Sequence, residues 1–391
     1  MNAQQINAQP TNSSLLRGFT FSFYMTMAMV ASFFPLYFDY KGYSKLQIGM
    51  LYSIGPLVGI VSNLTWGFLS DKYRTIKKIM IILLAVQLVT IFFVFQTDWF
   101  TLLYITMAVF FFFQQPMVSL NDSQLMLNAS QTGKSYASYR VWGSIGFAFA
   151  AGFFGWLLKS QGSSITPILS ASTIGISLLL AFFLKDIRAN QKKMEFGGML
   201  NIIGSKKFLW FLFLIMIMAI STRLNDGFLA LYLRNMGASD SIIGFAWMAS
   251  ALSEIPTFFF LSKYGHRYKE LPLLAIAGFA YAVRFLLMIF VKDPMYVILI
   301  QMLHSVTFGI FIFTAIRYIQ QIIPDQYRAS GQAIFAVTWS SIAGLISGTL
   351  GGYLFDVWNG GVLYLCASIL AFIAGSGFLV THLTKKTNTI S

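Results

Sequence analysis

Apolar runs of about 20 residues, the length that crosses a bilayer core, recur along the entire chain. Turn-forming or charged residues break them near positions 39–45, 71–78, 96–99, 121–138, 159–165, 185–207, 234–240, 263–270, 292–294, 317–328 and 356–361. Eleven interruptions predict twelve helices. The first run, from about Gly18 to Phe38, is too long for a signal-peptide core and no clear cleavage motif follows it, so it counts as helix 1. The pattern predicts an all-α membrane protein with twelve transmembrane helices.

Composition removes the competing classes. Of 391 residues 57% are hydrophobic and 10% charged, where a soluble domain carries about a quarter charged residues. No soluble enzyme domain or nucleic-acid partner fits that balance. The expected surroundings are the lipid bilayer, as a multi-pass protein of a bacterial-type plasma membrane. The single cysteine, Cys366, excludes an intrachain disulfide.

The net charge of +14 reports orientation through its distribution. With the N-terminus in the cytoplasm, 19 cations fall inside, from Arg17 and Lys72 to Lys385 and Lys386, against five outside: Lys41, Lys45, Lys159, Arg234 and Lys292. The positive-inside rule then puts both termini in the cytoplasm. The longest hydrophilic connection, 185–207, is the expected cytoplasmic linker between halves 1–184 and 208–391.

Those halves repeat. Leu36, Tyr37, Gly42, Ser44, Ile48 and Gly49 recur 195 residues later as Leu231, Tyr232, Gly237, Ser239, Ile243 and Gly244. Phe68, Leu69 and Ser70 recur as Phe260, Leu261 and Ser262, and Trp142, Ser144 and Ile145 as Trp339, Ser341 and Ile342. Two six-helix pseudo-repeats suggest a transporter whose site lies between them.

The segment Gly67, Phe68, Leu69, Ser70, Asp71, Lys72, Tyr73, Arg74, with Lys77 and Lys78 behind it, resembles the helix 2–3 loop of the major facilitator superfamily. Arg74 stands where that pattern has Gly, and the second copy, at Lys263, Tyr264, Gly265, His266 and Arg267, lacks the Asp. Gly67, Asp71, Lys72 and Arg74 are therefore candidate gating residues. Asp71 can latch a neighbouring helix end through charge-assisted bonds; simple positive-inside anchoring is the alternative.

Ionisable side chains at mid-bilayer cost about 2.5–3.5 kcal/mol on insertion scales and are expected to be paired and functional. Six such residues occur: Asp122 and Arg140 where helices 4 and 5 meet their loop, Arg223 and Asp226 in helix 7, Glu254 in helix 8 and Arg284 in helix 9. Helical spacing gives them company on one face. Gln115, Ser119 and Asp122 form one stripe, Arg140, Ser144 and Phe147 a second, Trp247, Ser250 and Glu254 a third, with Gln301 and His304 one turn apart in helix 10. Such stripes can line a cavity with donors, acceptors and aromatic platforms; for the Ser and Gln members, interhelical hydrogen bonding serves equally well. Arg223 and Asp226, at i, i+3, neutralise each other as a structural or gating pair.

Asp122 followed 18 residues later by Arg140 in the run Tyr139, Arg140, Val141, Trp142, Gly143, Ser144 resembles lactose permease and its relatives, including the phenylpropionate permease group. So do Ser253, Glu254 and Pro256, Arg284, and Leu303 with His304. The resemblance implies substrate binding at Asp122 and Arg140 and proton coupling by Glu254, Arg284 and His304. This chain has Thr307 where the sugar permeases carry a second carboxylate and Phe147 where they carry Trp, so the resemblance does not extend to a sugar as solute. Burial pulls a carboxyl such as Glu254 toward its neutral form and a nearby arginine pulls it back, as a switchable proton carrier needs.

No phosphate-binding loop, HExxH, paired Cys and His spacing or GxSxG occurs in the chain. The expectation is a secondary transporter without cofactor or metal, working as a monomer, not an enzyme, that imports a small organic solute (sugar, nucleoside or aromatic acid) with protons. Drug or lipid efflux by proton antiport is the alternative within transport, and an integral-membrane enzyme using Asp122 or His304 the remote one.

Overall fold

The computed structural model describes residues 12–186, 205–323 and 328–387. Most of the expected linker, with Arg188, Lys192 and Lys193, lies outside these residues, as do the side chains of Arg328, Lys385 and Lys386. Twelve helices are long and apolar enough to span a membrane. They are α1 Ser13–Tyr40, α2 Lys45–Tyr73, α3 Ile76–Gln96, α4 Phe100–Thr132, α5 Ala137–Gln161 and α6 Ser163–Phe183, then α7 Lys206–Asn235, α8 Asp240–Leu261, α9 Glu270–Phe290, α10 Pro294–Ile322, α11 Ile334–Val357 and α12 Gly360–Thr384. No strand occurs among the described residues.

Local chemistry explains the repeated residues. Gly42 and Gly237 close the turns after α1 and α7 at φ 86° and 82°, a left-handed backbone that costs glycine no Cβ clash. Ser44 and Ser239 follow as N-cap residues in extended backbone; Ser44 Oγ accepts from Gln47 N–H at 3.2 Å while Gln47 Oε1 accepts from Ser44 N–H at 2.9 Å. Tyr37 donates to the Phe95 carbonyl at the end of α3, and Tyr232 donates to the Met288 carbonyl near the end of α9. The same residues thus make the same joint twice.

Helix packing repeats as well. In the first six helices α1 lies on α5 and α6, α3 on α4 and α6, and α2 on α4; in the last six α7 lies on α11 and α12, α9 on α10 and α12, and α8 on α10. Lipid removes the hydrophobic drive between helices, so close approach and hydroxyl bonds matter more. Gly278 of α9 meets Gly375 of α12 backbone to backbone. Ser22 pairs with Ser177 at 2.9 Å, and Ser221 donates to the Ala367 carbonyl at 2.6 Å, bonds worth about 0.6 kcal/mol each in bilayers.

The main crossings between the first six helices and the last six are α2 on α11 and α5 on α8, with a smaller contact of α1 on α7. Both are built on the repeated glycine. A Cβ at Gly49 would run into the Gly348 carbonyl oxygen, and one at Gly244 into the Ala151 carbonyl oxygen. Both crossings cluster at the end of the bundle where α2 and α8 begin. There the two carboxylate oxygens of Asp356, at the end of α11, accept from the backbone N–H groups of Lys45 (3.1 Å) and Leu46 (3.2 Å). An acidic side chain from one half therefore caps a helix of the other.

Candidate functional site

Between the crossings a cavity opens, lined by Met27, Val30, Tyr52, Pro56, Phe111, Gln114, Gln115, Arg223, Asp226 and Ser347 among others. Pro116 sits at the first position of the second part of α4, where its missing N–H interrupts the ladder beside Gln115. Three stretches are π-helical, Met29–Phe33 in α1, Ser305–Gly309 in α10 and Val337–Ile342 in α11, and the first of them lines the cavity through Val30 and Ala31. Such widened turns recur at functional sites.

Asp122 does not stand at a helix boundary, as hydropathy suggested. The structure continues α4 to Thr132, which sets Asp122 about 15 Å up the helix at 1.5 Å per residue. Arg140 lies one turn into α5, with its Nε 3.8 Å from Asp122 Oδ1. Two residues the sequence reading missed complete this cluster. Tyr136 Oη donates to Asp122 at 3.0 Å; burial first, and the Asp122 charge second, push this loop tyrosine's hydroxyl above its ordinary range, so it stays a donor. The Tyr24 ring lies under the Arg140 guanidinium, 4.4 Å from its centroid. A tyrosine on α1 carried no signal in helical spacing, because its partner is 116 residues away.

The other stripe members divide. Gln115 lines the cavity and packs on Gly55 and Gly59. Ser119 is exposed, 3.4 Å from Asn63 Oδ1, and Ser144 is half-buried. Phe147 meets Trp247 edge to face across the α5–α8 crossing, centroids 6.0 Å apart. Trp247 is buried there with its Nε1 unpartnered.

Glu254, His304 and Arg284 converge, though not in the expected order. Arg284 was expected beside Glu254, and the structure puts His304 between them. Glu254 Oε1 is 2.7 Å from His304 Nε2, and His304 Nδ1 is 2.8 Å from Arg284 Nη1. A guanidinium has donors only, so Nδ1 accepts, Nε2 carries the ring proton, and the neutral imidazole donates to Glu254. Arg284, 1% exposed, also donates to Thr307 Oγ1 (3.0 Å) and to Gln301 Oε1. Ser250 donates to that same Gln301 oxygen at 3.1 Å. Thr307 thus supplies an uncharged acceptor for the arginine. The chain runs Glu254, His304, Arg284, Gln301, Ser250.

Arg223 Nη1 lies 3.8 Å from Asp226 Oδ2, and its Nη2 donates to Ser340 Oγ at 3.3 Å. Both line the cavity.

At the far end of α2, Arg74 adopts the left-handed conformation (φ 51°) as its C-cap. That conformation explains the glycine in the pattern this loop resembles. Lys72 lies over the Tyr73 ring and Gly67 borders open space. Asp71 accepts at its carbonyl from Arg74 N–H. The adjoining α3 N-terminus is capped by Asp186, whose carboxylate accepts from Thr75 Oγ1 and from the N–H groups of Ile76 (3.1 Å) and Lys77 (3.3 Å). Among the described residues no group of three or more His, Cys, Asp or Glu could hold a metal ion.

Residues 14–366 match the MFS_1 like family along nearly the entire bundle. The chain belongs to that family. It is a multi-pass transporter of the plasma membrane with the major facilitator fold, and not an enzyme. An uncharacterized transporter of Bacillus subtilis is 25% identical over 95% of this chain and 93% of its own length. The maltose permease of Geobacillus stearothermophilus is 26% identical over 88% and 86%. Among solved structures, the nucleoside transporter NupG superposes with a TM-score of 0.82 over 94% of this chain and 99% of its own, at 17% identity. The family carries small solutes.

Proposed function

We propose that this chain imports a small organic solute together with protons by alternating access. The observation that carries the reading is the chain from a half-buried Glu254 through a neutral His304 to the buried Arg284. A proton delivered to His304 Nδ1 removes the lone pair that Arg284 donates to and sets two cations side by side. A proton on Glu254 removes the charge that His304 donates to. Either event changes how α8, α9 and α10 hold one another, and a solute whose binding shifts the same helices makes the two affinities reciprocally dependent. Proteoliposomes with an imposed inward proton gradient are expected to accumulate solute, and to stop when a protonophore collapses the gradient. Equal accumulation with and without the protonophore overturns the proton reading.

With both termini in the cytoplasm, the α2–α11 and α5–α8 crossings lie on the outer side, and the chain as folded faces inward. The Asp356 cap then belongs to the outer gate. Loss of an acidic cap costs about 1 kcal/mol, roughly fivefold in an opening equilibrium. Asp356→Ala is expected to speed maleimide labelling of Ser53→Cys, at the buried crossing, about fivefold in a Cys366→Ala background. Unchanged labelling removes Asp356 from the gate.

A further inference from the structure

With the N-terminus in the cytoplasm, the cytoplasmic junction of α1, α4 and α5 gathers two cations around the buried Tyr139. Arg17 lies over the Tyr139 ring, 5.4 Å from its centroid. Lys134, in the α4–α5 loop, donates to Ser13 Oγ at 3.0 Å, and Ser13 Oγ stands 2.9 Å from Tyr139 Oη. The far end of this chain fixes its direction. Thr132 Oγ1 spends its proton on the Asn128 carbonyl at 2.8 Å, so Tyr139 Oη donates to Thr132 at 3.1 Å and Ser13 donates to Tyr139. Every hydroxyl proton therefore points away from Lys134.

Neither cation has a carboxylate. Arg17 and Lys134 make no ion pair among the described residues, and residues 1–12 carry no acid. Cations that only report orientation sit in water, whereas these two are tied into the protein. Lys134 is bonded to Ser13, and Arg17 lies against a tyrosine with its Nε buried and unpartnered. Ser13 and Arg17 stand i, i+4 on one face of α1, so Lys134, held at Ser13, meets that face about one turn from Arg17. Like charges at that spacing repel.

We propose that Arg17 and Lys134 bind the phosphate group of a cytoplasmic anion, either an inner-leaflet lipid headgroup or a soluble phosphate. One tetrahedral group offers separate oxygens to each cation, meeting the planar guanidinium at its open Nη groups and the ammonium as a point charge. Its negative charge replaces the repulsion between them with two attractions. Occupancy also ties the first turn of α1 to the loop that carries Tyr136, the donor to Asp122.

The test needs no solute, so its outcome is independent of the symport reading. Full-length protein in a neutral detergent is treated with an amine-acetylating reagent, and modification of Lys134 is followed by mass spectrometry in sodium phosphate and in sodium chloride at equal ionic strength. A second arm compares nanodiscs of phosphatidylglycerol with nanodiscs of phosphatidylcholine. At about ten times the dissociation constant a site is roughly tenfold less often empty, so labelling of Lys134 is expected to slow about tenfold in at least one arm. Lys72, exposed at the same end of the bundle, is expected to keep its rate. Arg17→Gln leaves Lys134 in place and is expected to abolish the protection. Slowing by phosphate alone assigns the site to a soluble phosphate, slowing by phosphatidylglycerol alone to a headgroup, and slowing by both to a phosphate group in either form. Equal labelling of Lys134 under all conditions, equal slowing at Lys72, or protection that survives Arg17→Gln overturns the proposal.

Discussion

In vesicles carrying Glu254→Gln, an inward gradient of about two pH units is expected to drive no accumulation, while exchange of solute for solute continues. Two units supply about 2.7 kcal/mol, enough for roughly a hundredfold gradient at one proton per solute, so the expected change is from about a hundredfold to none. The glutamine amide oxygen can still accept from His304 Nε2, which lies 2.7 Å from Glu254 Oε1. The substitution therefore removes the charge and the titratable oxygen and leaves the hydrogen bond. Arg284 keeps its bonds to Gln301 and Thr307, so the bundle has no reason to repack. The measurement is paired: accumulation under the gradient, and counterflow without it. Persistent accumulation would move the proton site to another carboxylate, with Asp226, which lines the cavity, the next choice.

The second large effect is at Arg140, where substitution by Ala is expected to weaken solute binding by about two orders of magnitude. A charge-assisted hydrogen bond contributes about 1.5–3 kcal/mol. Its removal here also leaves Asp122 with Tyr136 as its hydrogen-bonding neighbour and no cation at 3.8 Å. Arg140→Lys is expected to recover little, because an ammonium lacks the planar fork and stacks poorly on Tyr24. Adding Asp122→Asn to Arg140→Ala removes the stranded charge and is expected to restore the melting temperature without restoring binding. Calorimetry of binding together with thermal unfolding separates these outcomes. Wild-type affinity in Arg140→Ala would reduce the pair to a structural ion pair.

Much of this molecule was legible in residue order because its rules are local. Helix length follows from apolar run length, and the breaks at Gly42, Gly133 and Gly237 follow from left-handed turns that glycine adopts freely. The repeated Tyr37 and Tyr232, Ser44 and Ser239, Gly49 and Gly244 announced two equivalent units before any contact was known. Intramembrane charge also marked Asp122, Arg140, Arg223, Asp226, Glu254 and Arg284 as residues in need of partners, since lipid cannot solvate them. Their partners were another matter. That His304 separates Glu254 from Arg284, that Tyr24 supports Arg140, that Asp186 caps α3 and that Asp356 caps α2 are all decisions of the tertiary structure. Periodicity assigns a residue to a face of its own helix, but neither the rotation of that helix about its axis nor its height against a neighbour is encoded in spacing. Those are set by where small residues allow backbones to touch, as at Gly49 on Gly348 and Gly244 on Ala151, and such contacts join positions about 90 to 300 residues apart that only packing in three dimensions brings together.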